Sequence, residues 1–300
     1  MPKEISVSKD NALIEAGYRL SITETQIILY GIGLINPLKP DFPKIYRIDI
    51  DHFAEIFNRE HGQIYKEVKE AVLKRFWERD FSYVDQNGDI VLIRWLTKIT
   101  YNDKTGYLEI KFSDEVQPYL HQLKGNFTSY YINNIAKFKS VYSIRFYEYS
   151  IMLLNKSNSN KLNFSLLVSE IKQKLGLDDK YDRFSNLKSR ILEPAKHEIN
   201  QFSDLVFDYS IEKLGRTPYK IKFKVSKKDS RNECSAESRL KIIQTKTLES
   251  AKEIVIKAGT GWDINVIEKQ FYEYSKEKGS PKNIDAAFIG FVKNKILKKA

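Results

Sequence analysis

Residues Tyr181–Gln201 read YDRFSNLKSRILEPAKHEINQ, and the fold of the surrounding chain is organised around this stretch. Its apolar residues recur at helical spacing and form one stripe: Phe184, Leu187, Ile191, Ala195 and Ile199. At about 100° per residue, the other side of such a helix carries Asn186, Ser189, Arg190, Glu193 and His197, with Arg183 at its edge. Any surface helix with a solvated outer face would show this pattern. The neighbouring segments are therefore needed to decide whether this face only contacts solvent or binds a partner.

Those neighbouring segments predict a winged helix. Ser140–Leu154 and Phe164–Leu175 read as helices, and Leu205–Ile211 and Tyr219–Val225 read as strands joined by residues 212–218. A winged helix has this order of helices and hairpin, and its recognition helix enters the DNA major groove. We therefore expect residues 182–193 to meet the groove. Pro194 should bend the helix, because a proline cannot donate a hydrogen bond to the carbonyl four residues earlier.

A similar order of elements occurs earlier in the chain. Gln63–Phe76 has a helical apolar face, and two strand-like runs flank Asn87-Gly88, a strong hairpin-turn signal. A second hairpin is predicted within residues 99–112, and a short helix over Ser113–Leu123. The prediction is an α+β protein with two tandem winged-helix domains, a linker and a small helical C-terminal module. The predicted bounds are residues 1–125, 126–228, 229–239 and 240–300.

The charge of the chain favours a polyanionic partner. The formal net charge is +11 and the sequence pI is about 9.3. Residues 137–228 carry a net +9, whereas residues 1–136 carry −2 and residues 229–300 carry +4. The single cysteine, Cys234, rules out a disulfide framework and a cysteine-based zinc site. No signal peptide or membrane span is recognisable, so a bacterial cytoplasmic location is expected.

Enzyme motifs are weak in this sequence. There is no P-loop pattern, and the four histidines are scattered rather than clustered as in a metal-dependent nicking enzyme. Asp49-Ile-Asp51 has the residue types of a magnesium site, but a capping carboxylate at a helix start is the commoner use. We predict no catalytic residue, no metal and no cofactor.

Two sets of residues are candidates for contact with duplex DNA. Arginine pairs with guanine and asparagine with adenine in the major groove, and serine bonds to a base or a phosphate. The candidate base-reading residues are Arg183, Asn186, Ser189 and Arg190. The candidate phosphate contacts are Lys137, Lys139, Ser140, Lys188, Lys213, Arg216 and Thr217. The alternatives are a solvated helix face for the first set and an ordinary surface turn for the hairpin tip.

Several segments also resemble a known family. SVYSIRFYEYSIMLL, SEIKQKLGL, YDRFSNLKSRILEPAKHEIN and GRTPYKIKFKV resemble, in this order, the second winged helix of iteron-binding plasmid replication initiators. NALIEAGYRLSITETQIILYGIGLINP resembles the opening segment of that family. The resemblance covers about residues 5–228.

The resemblance implies a function. Such proteins bind repeated origin sites as monomers, help to melt the adjacent duplex and recruit host replication proteins without a cofactor. As dimers, formed through the first domain, they often repress their own gene. The resemblance assigns a first-domain DNA contact to Gln63–Phe76, through Lys66, Lys69, Lys74 and Arg75. The net charge of −2 of that part makes a dimer contact the alternative use.

The tail from Gly261 departs from that family pattern. It is similar to short helical tails on some replication initiation and primosome proteins, which implies that residues 240–300 dock a host replication initiator or helicase component. Two other functions remain open at this point. One is a tandem winged-helix transcriptional repressor with no role in replication, and the other is a nicking enzyme.

Overall fold

The computed structural model describes most of the chain. The described residues are 5–35, 42, 45–74, 76–123, 125–177, 180–228, 243, 245–259, 263–278, 281 and 283–297. The predicted linker, residues 229–239, lies outside them, and so does Arg75. In the described part of the chain, no helix is both long and apolar enough to cross a membrane.

The first half of the chain forms a mixed domain. In chain order it contains β1 (Ser6–Asp10), α1 (Asn11–Glu15), β2 (Gly17–Tyr18), α2 (Ile22–Gly33), β3 (Tyr46–Asp49), α3 (Ile50–Ile56), α4 (His61–Leu73), β4 (Asp80–Val84), β5 (Ile90–Arg94), β6 (Leu96–Asn102) and β7 (Tyr107–Phe112). Helix α1 begins directly after β1, and Asp10 caps it by accepting from the amide of Ala12.

Two three-stranded antiparallel sheets carry the hairpins of this half. Their strand orders are β2-β4-β5 and β3-β7-β6. The Asn87-Gly88 turn is confirmed: Val84 pairs with Ile90, and Gly88 has a φ of 87°, which favours glycine. The helix predicted over Ser113–Leu123 is wrong. Only Gln117–Tyr119 forms a 3₁₀ turn, and Pro118 opposes a longer helix because it has no amide hydrogen to donate to the carbonyl of Asp114, four residues earlier.

The second half contains the predicted winged helix with one correction. Its elements are β8 (Phe127–Tyr131), α5 (Val141–Lys156), β9 (Lys161–Leu167), α6 (Val168–Lys174), α7 (Phe184–Leu187), α8 (Glu193–Phe202), β10 (Leu205–Leu214) and β11 (Thr217–Lys227). The prediction that Phe164–Leu175 is entirely helical is wrong, because β9 pairs with β11 as the third strand of a sheet of order β10-β11-β9.

The side chains of β9 explain this correction. Leu162, Phe164 and Leu166 alternate with exposed residues, which is the period of a half-buried strand. The Phe164 ring stacks on the Phe223 ring of β11, with centroids 5.0 Å apart. A partner strand more than 50 residues later in the chain therefore determines the conformation of this segment.

The quoted stretch forms one continuous helix with an irregular turn, and we call residues 184–202 the interrupted helix. It starts as α7, passes through a π-helical turn at Lys188–Leu192, and continues as α8. The amide of Glu193 donates to the carbonyl of Lys188, five residues earlier. The irregularity that Pro194 predicts is thus present, as a widened turn just before the proline.

The two halves pack together closely. One hydrophobic core extends from Val7 in β1 to Val225 in β11, and β1 pairs with β8 across the predicted boundary at residue 125. Between the halves, the ammonium of Lys9 lies 2.6 Å from the carboxylate of Glu148, and both side chains are buried. The predicted domain bounds stay predictions.

The C-terminal module has a core of its own. Its helices are α9 (Thr245–Lys257), α10 (Ile264–Lys278) and α11 (Ile284–Leu297), and Phe271 and Phe288 pack at its centre. The module contacts the end of β11, where the Lys227 ammonium lies 2.6 Å from the Asp263 carboxylate. This end is remote from the β10–β11 turn, because β11 runs eleven residues from one to the other.

Candidate nucleic-acid interface

The interrupted helix buries one side and exposes the other. Leu187, Ile191, Ala195 and Ile199 are each 0% exposed, so the predicted apolar stripe is the buried one. The four candidate base-reading residues are all exposed: Arg183, Asn186, Ser189 and Arg190. Within the described residues, no salt bridge engages the guanidinium of Arg183 or Arg190. Their charges are therefore available to a ligand.

The start of the helix leaves these side chains available. Arg183 is the residue before the first helical turn, and its carbonyl accepts from the amide of Asn186 at 3.0 Å, while its side chain makes no capping bond. The Ser189 hydroxyl makes a long contact of 3.5 Å to the Asn186 carbonyl. These polar groups thus lie on the solvent side of the helix, where a DNA base edge or phosphate would have to approach.

The second half of the helix is tied to β10. Tyr209 donates its hydroxyl to the carboxylate of Glu193 at 2.7 Å, and the Lys196 ammonium lies 2.6 Å from the Asp208 carboxylate. The hydrogen bond to Lys196 lowers the pKa of Asp208, and the same bond raises the pKa of Lys196. The amide side chain of Asn200 donates to the carbonyl of Phe207 at 2.7 Å and accepts from its amide at 2.9 Å. The helix and the hairpin therefore keep a defined relative position.

Glu198 joins the same helix to the start of α5. Its carboxylate accepts from the backbone amides of Lys139 and Ser140, at 3.0 and 3.3 Å. The Ser140 hydroxyl caps α5 by accepting from the amide of Tyr142. The backbone amides of Lys139 and Ser140 are therefore already occupied. A phosphate contact here would have to use the exposed side chains of Lys137 and Lys139.

The tip of the β10–β11 hairpin projects into solvent, and we call this hairpin the wing. The strands are longer than predicted and leave a two-residue turn of Gly215 and Arg216, with Gly215 at a φ of 62°. Lys213, Arg216 and Thr217 are exposed, as contacts to a phosphate require.

The nearby acid, Glu212, accepts from Tyr219 at 2.7 Å and lies 2.8 Å from the Lys222 ammonium. The hydrogen bond from Lys222 lowers the pKa of Glu212, so this carboxylate is already paired with a lysine below the tip.

Some predicted basic contacts already have acidic partners. The Lys188 ammonium lies 3.7 Å from the Glu193 carboxylate. In the first half, Lys69 pairs with Asp103 at 2.6 Å and Lys74 with Glu70 at 3.3 Å, while Lys66 is exposed on α4. Side-chain hydrogen bonding to Lys69 lowers the pKa of Asp103. These pairs reduce the positive charge that α4 presents.

The wing also carries a row of lysines that was not among the predicted contacts. Lys220, Lys222 and Lys224 alternate with the buried Ile221, Phe223 and Val225 along β11. Lys222 and Lys224 are exposed on the outer face of the sheet. Their period of two was visible in the sequence and indicated a basic strand face.

Among the described residues, no group of three His, Cys, Asp or Glu side chains is arranged to hold a metal ion.

Two family models and several known proteins match this chain. A family model described as "Initiator Replication protein, WH1" matches residues 6–151, and one described as "Initiator Rep protein, WH2" matches residues 167–225. A "Replication initiation protein" from Escherichia coli is 27% identical over 233 residues, which cover 74% of this chain and 70% of that protein. The "PI protein" from Escherichia coli is 29% identical over 256 residues, covering 74% and 82%.

A solved structure supports the fold independently. The structure described as "Crystal structure of Pi initiator protein in complex with iteron DNA" aligns with a TM-score of 0.64 at 21% identity, covering 76% of this chain and all of that one. This likeness shows a shared fold. The two family models, which match both winged helices in chain order, establish that this chain belongs to the family of replication initiator proteins built from two tandem winged helices.

Proposed function

We propose that this protein initiates plasmid replication in the bacterial cytoplasm by binding repeated duplex sites at the origin. The observation that carries the proposal is the exposed face of Arg183, Asn186, Ser189 and Arg190, held beside a basic wing. Arginine and asparagine make bidentate contacts with guanine and adenine edges, and these contacts supply sequence selectivity. Lys213 and Arg216 at the wing tip add phosphate contacts that strengthen binding on any sequence. The solved relative described above is named for its complex with iteron DNA, which is the kind of site proposed here.

Footprinting on the DNA that flanks the gene tests this function. Protection that repeats about every two helical turns is expected for monomers on an iteron array. A single protected palindrome would favour the tandem winged-helix repressor without a replication role. A protein that protects no sequence above random DNA would contradict both.

We propose that binding, rather than bond cleavage, is the activity of the protein. Opening a duplex beside a set of protein-bound repeats requires side chains that bind DNA. The exposed side chains on the interrupted helix are DNA-binding groups of this kind. Supercoiled plasmid incubated with the protein and magnesium should therefore stay supercoiled. Nicked circles would instead assign a nuclease activity.

We also propose that the first half mediates self-association, with autorepression as a dimer. Strand β5 lies at the edge of its sheet and exposes Ile90 at 73% and Leu92 at 63%. Val84, which pairs with Ile90 across the hairpin, is 60% exposed. An exposed edge strand with an apolar face is a template for another strand, and a second copy satisfies it symmetrically. Lys69 and Lys74 on α4 are already paired with acidic residues, so we propose self-association rather than DNA contact as the role of the first half.

Leu92→Glu tests the self-association surface. Two glutamates would face each other or lie close across a symmetric strand pair, so the dimer should weaken by about tenfold or more. Sedimentation equilibrium measures this change. Ile256→Glu is the matched control, since Ile256 is an exposed apolar residue of the module, at 49%. A dimer that is as tight in Leu92→Glu as in the control would place the interface elsewhere.

Finally, we propose that the C-terminal module docks a host replication initiator or helicase component. The module has its own core and adjoins the end of β11 opposite the wing tip, so a partner bound there would not compete with DNA at the tip.

A further inference from the structure

The π-helical turn lies in the middle of the proposed base-reading surface. It spans Lys188–Leu192 and so contains Ser189 and Arg190, and it separates Arg183 and Asn186 from α8. Its defining hydrogen bond joins the Glu193 amide to the Lys188 carbonyl. Single π turns inside α-helices are rare and frequently occur at functional sites.

Pro194 accounts for the position of this turn. In a regular α-helix the amide of residue 194 would donate to the carbonyl of Arg190, and proline has no amide hydrogen to donate. Its ring would also collide with that carbonyl, which a wider turn relieves. The proline directly follows Glu193, the residue whose amide closes the π turn.

The buried stripe shows what the turn does to the direction of side chains. Leu187, Ile191, Ala195 and Ile199 are spaced four residues apart, and in a regular α-helix their directions would drift by about 120° in total. All four are nevertheless 0% exposed. A turn that takes up an extra residue offsets part of this drift, and it therefore also changes the direction of the exposed side chains before it.

The second half of the helix cannot adjust to a change in the turn. Glu193 bonds Tyr209, Lys196 pairs with Asp208, Glu198 accepts two amides, and Asn200 bonds Phe207 in both directions. With α8 held in this way, the geometry of the π turn determines where α7 points its polar side chains. Replacing the π turn by a regular α turn would rotate Arg183 and Asn186 by up to about 100°, the angle of one residue.

We propose that Pro194 is a positioning residue for base reading: it maintains the π turn, and the turn places Arg183 and Asn186 in one groove with Arg190. This inference rests on the proposed function, because it assumes that these residues read a DNA site.

The experiment uses the full-length Pro194→Ala variant, with Pro118→Ala as the matched control in the first half of the chain. The probes are a duplex with the site found by footprinting and a random duplex of equal length. In Pro194→Ala, affinity for the site should fall by about tenfold or more, the scale of one lost bidentate contact, while affinity for random DNA stays within about twofold. The control should keep both affinities, and both variants should keep a cooperative thermal melt.

A double-mutant cycle then tests whether Pro194 acts through Arg183. Arg183→Ala should reduce specific affinity in the wild-type background and have little further effect in Pro194→Ala. Unchanged specific binding in Pro194→Ala, additive effects in the cycle, or loss of the cooperative melt would each overturn the positioning role. Wild-type protein that does not discriminate the site from random DNA would instead contradict the proposed function itself.

Discussion

Arg190 is the residue whose role in sequence selectivity is most directly testable. It is exposed within the π turn, and no salt bridge to a described residue neutralises it. Arg190→Ala should cost about 1–3 kcal/mol of specific binding free energy and relax discrimination at one base position, because a bidentate contact to guanine is lost. Binding titrations on a set of single-base site variants measure this. An equal loss on random DNA would show that Arg190 contacts only the DNA backbone.

Arg216 should behave differently, because it lies on the two-residue turn of the wing. Arg216→Ala should weaken binding on every sequence and lower the slope of log affinity against log salt by about one, since one phosphate contact no longer releases counterions. Lys161→Ala is the control for removing an exposed positive charge elsewhere, because Lys161 pairs with Ser226 at the end of β11 remote from the wing tip. A salt slope that is the same as in wild type would remove the wing tip from the interface.

At the scale of elements, the interrupted helix and the wing act as one unit because polar side chains connect them. The side chain of Asn200 takes the place of a neighbouring strand beside Phe207. It donates to the Phe207 carbonyl and accepts from the Phe207 amide. The Lys228 ammonium lies at the same junction and donates to the carbonyls of Asn200 and Ser203, at 2.6 and 2.7 Å. The wing therefore emerges at a fixed angle from the helix that carries the candidate base readers.

Asn200→Ala should lower the free energy of unfolding by about 1–3 kcal/mol, because the Phe207 amide and carbonyl lose their protein partner at a partly buried position. Urea unfolding followed by circular dichroism measures the change. His197→Ala, on the exposed side of the same helix, is the control and should be nearly neutral. If both variants unfold at the same urea concentration, this junction contributes little to stability.

At the scale of the whole molecule, the shared core joins the two winged helices while the C-terminal module keeps a separate one. Deleting residues 229–300 should therefore leave binding to the origin repeats unchanged and impair plasmid replication, because the proposed host contact is lost. Filter binding and a plasmid-maintenance assay measure the two effects. Normal maintenance by the truncated protein would contradict the docking role of the module.

Local sequence determined much of this architecture. The stripe from Leu187 to Ile199 and the Asn87-Gly88 turn each depend on neighbours within a few residues, so periodicity and turn chemistry were sufficient to predict them. The basic charge of residues 137–228 and the exposed face of the interrupted helix were also readable from sequence. These features were enough to predict two tandem winged helices.

Only the tertiary structure decided features that depend on distant partners. Segment 161–167 is a strand because β11 pairs with it, the amides before α5 are occupied because Glu198 reaches them, and Lys69 is neutralised because Asp103 lies beside it. Each partner is more than 30 residues away along the chain, where no local pattern records it. The quoted stretch shows the same division: its stripe and its proline were visible in sequence, whereas the anchoring of α8, which makes the π turn consequential, comes from packing against β10 and α5.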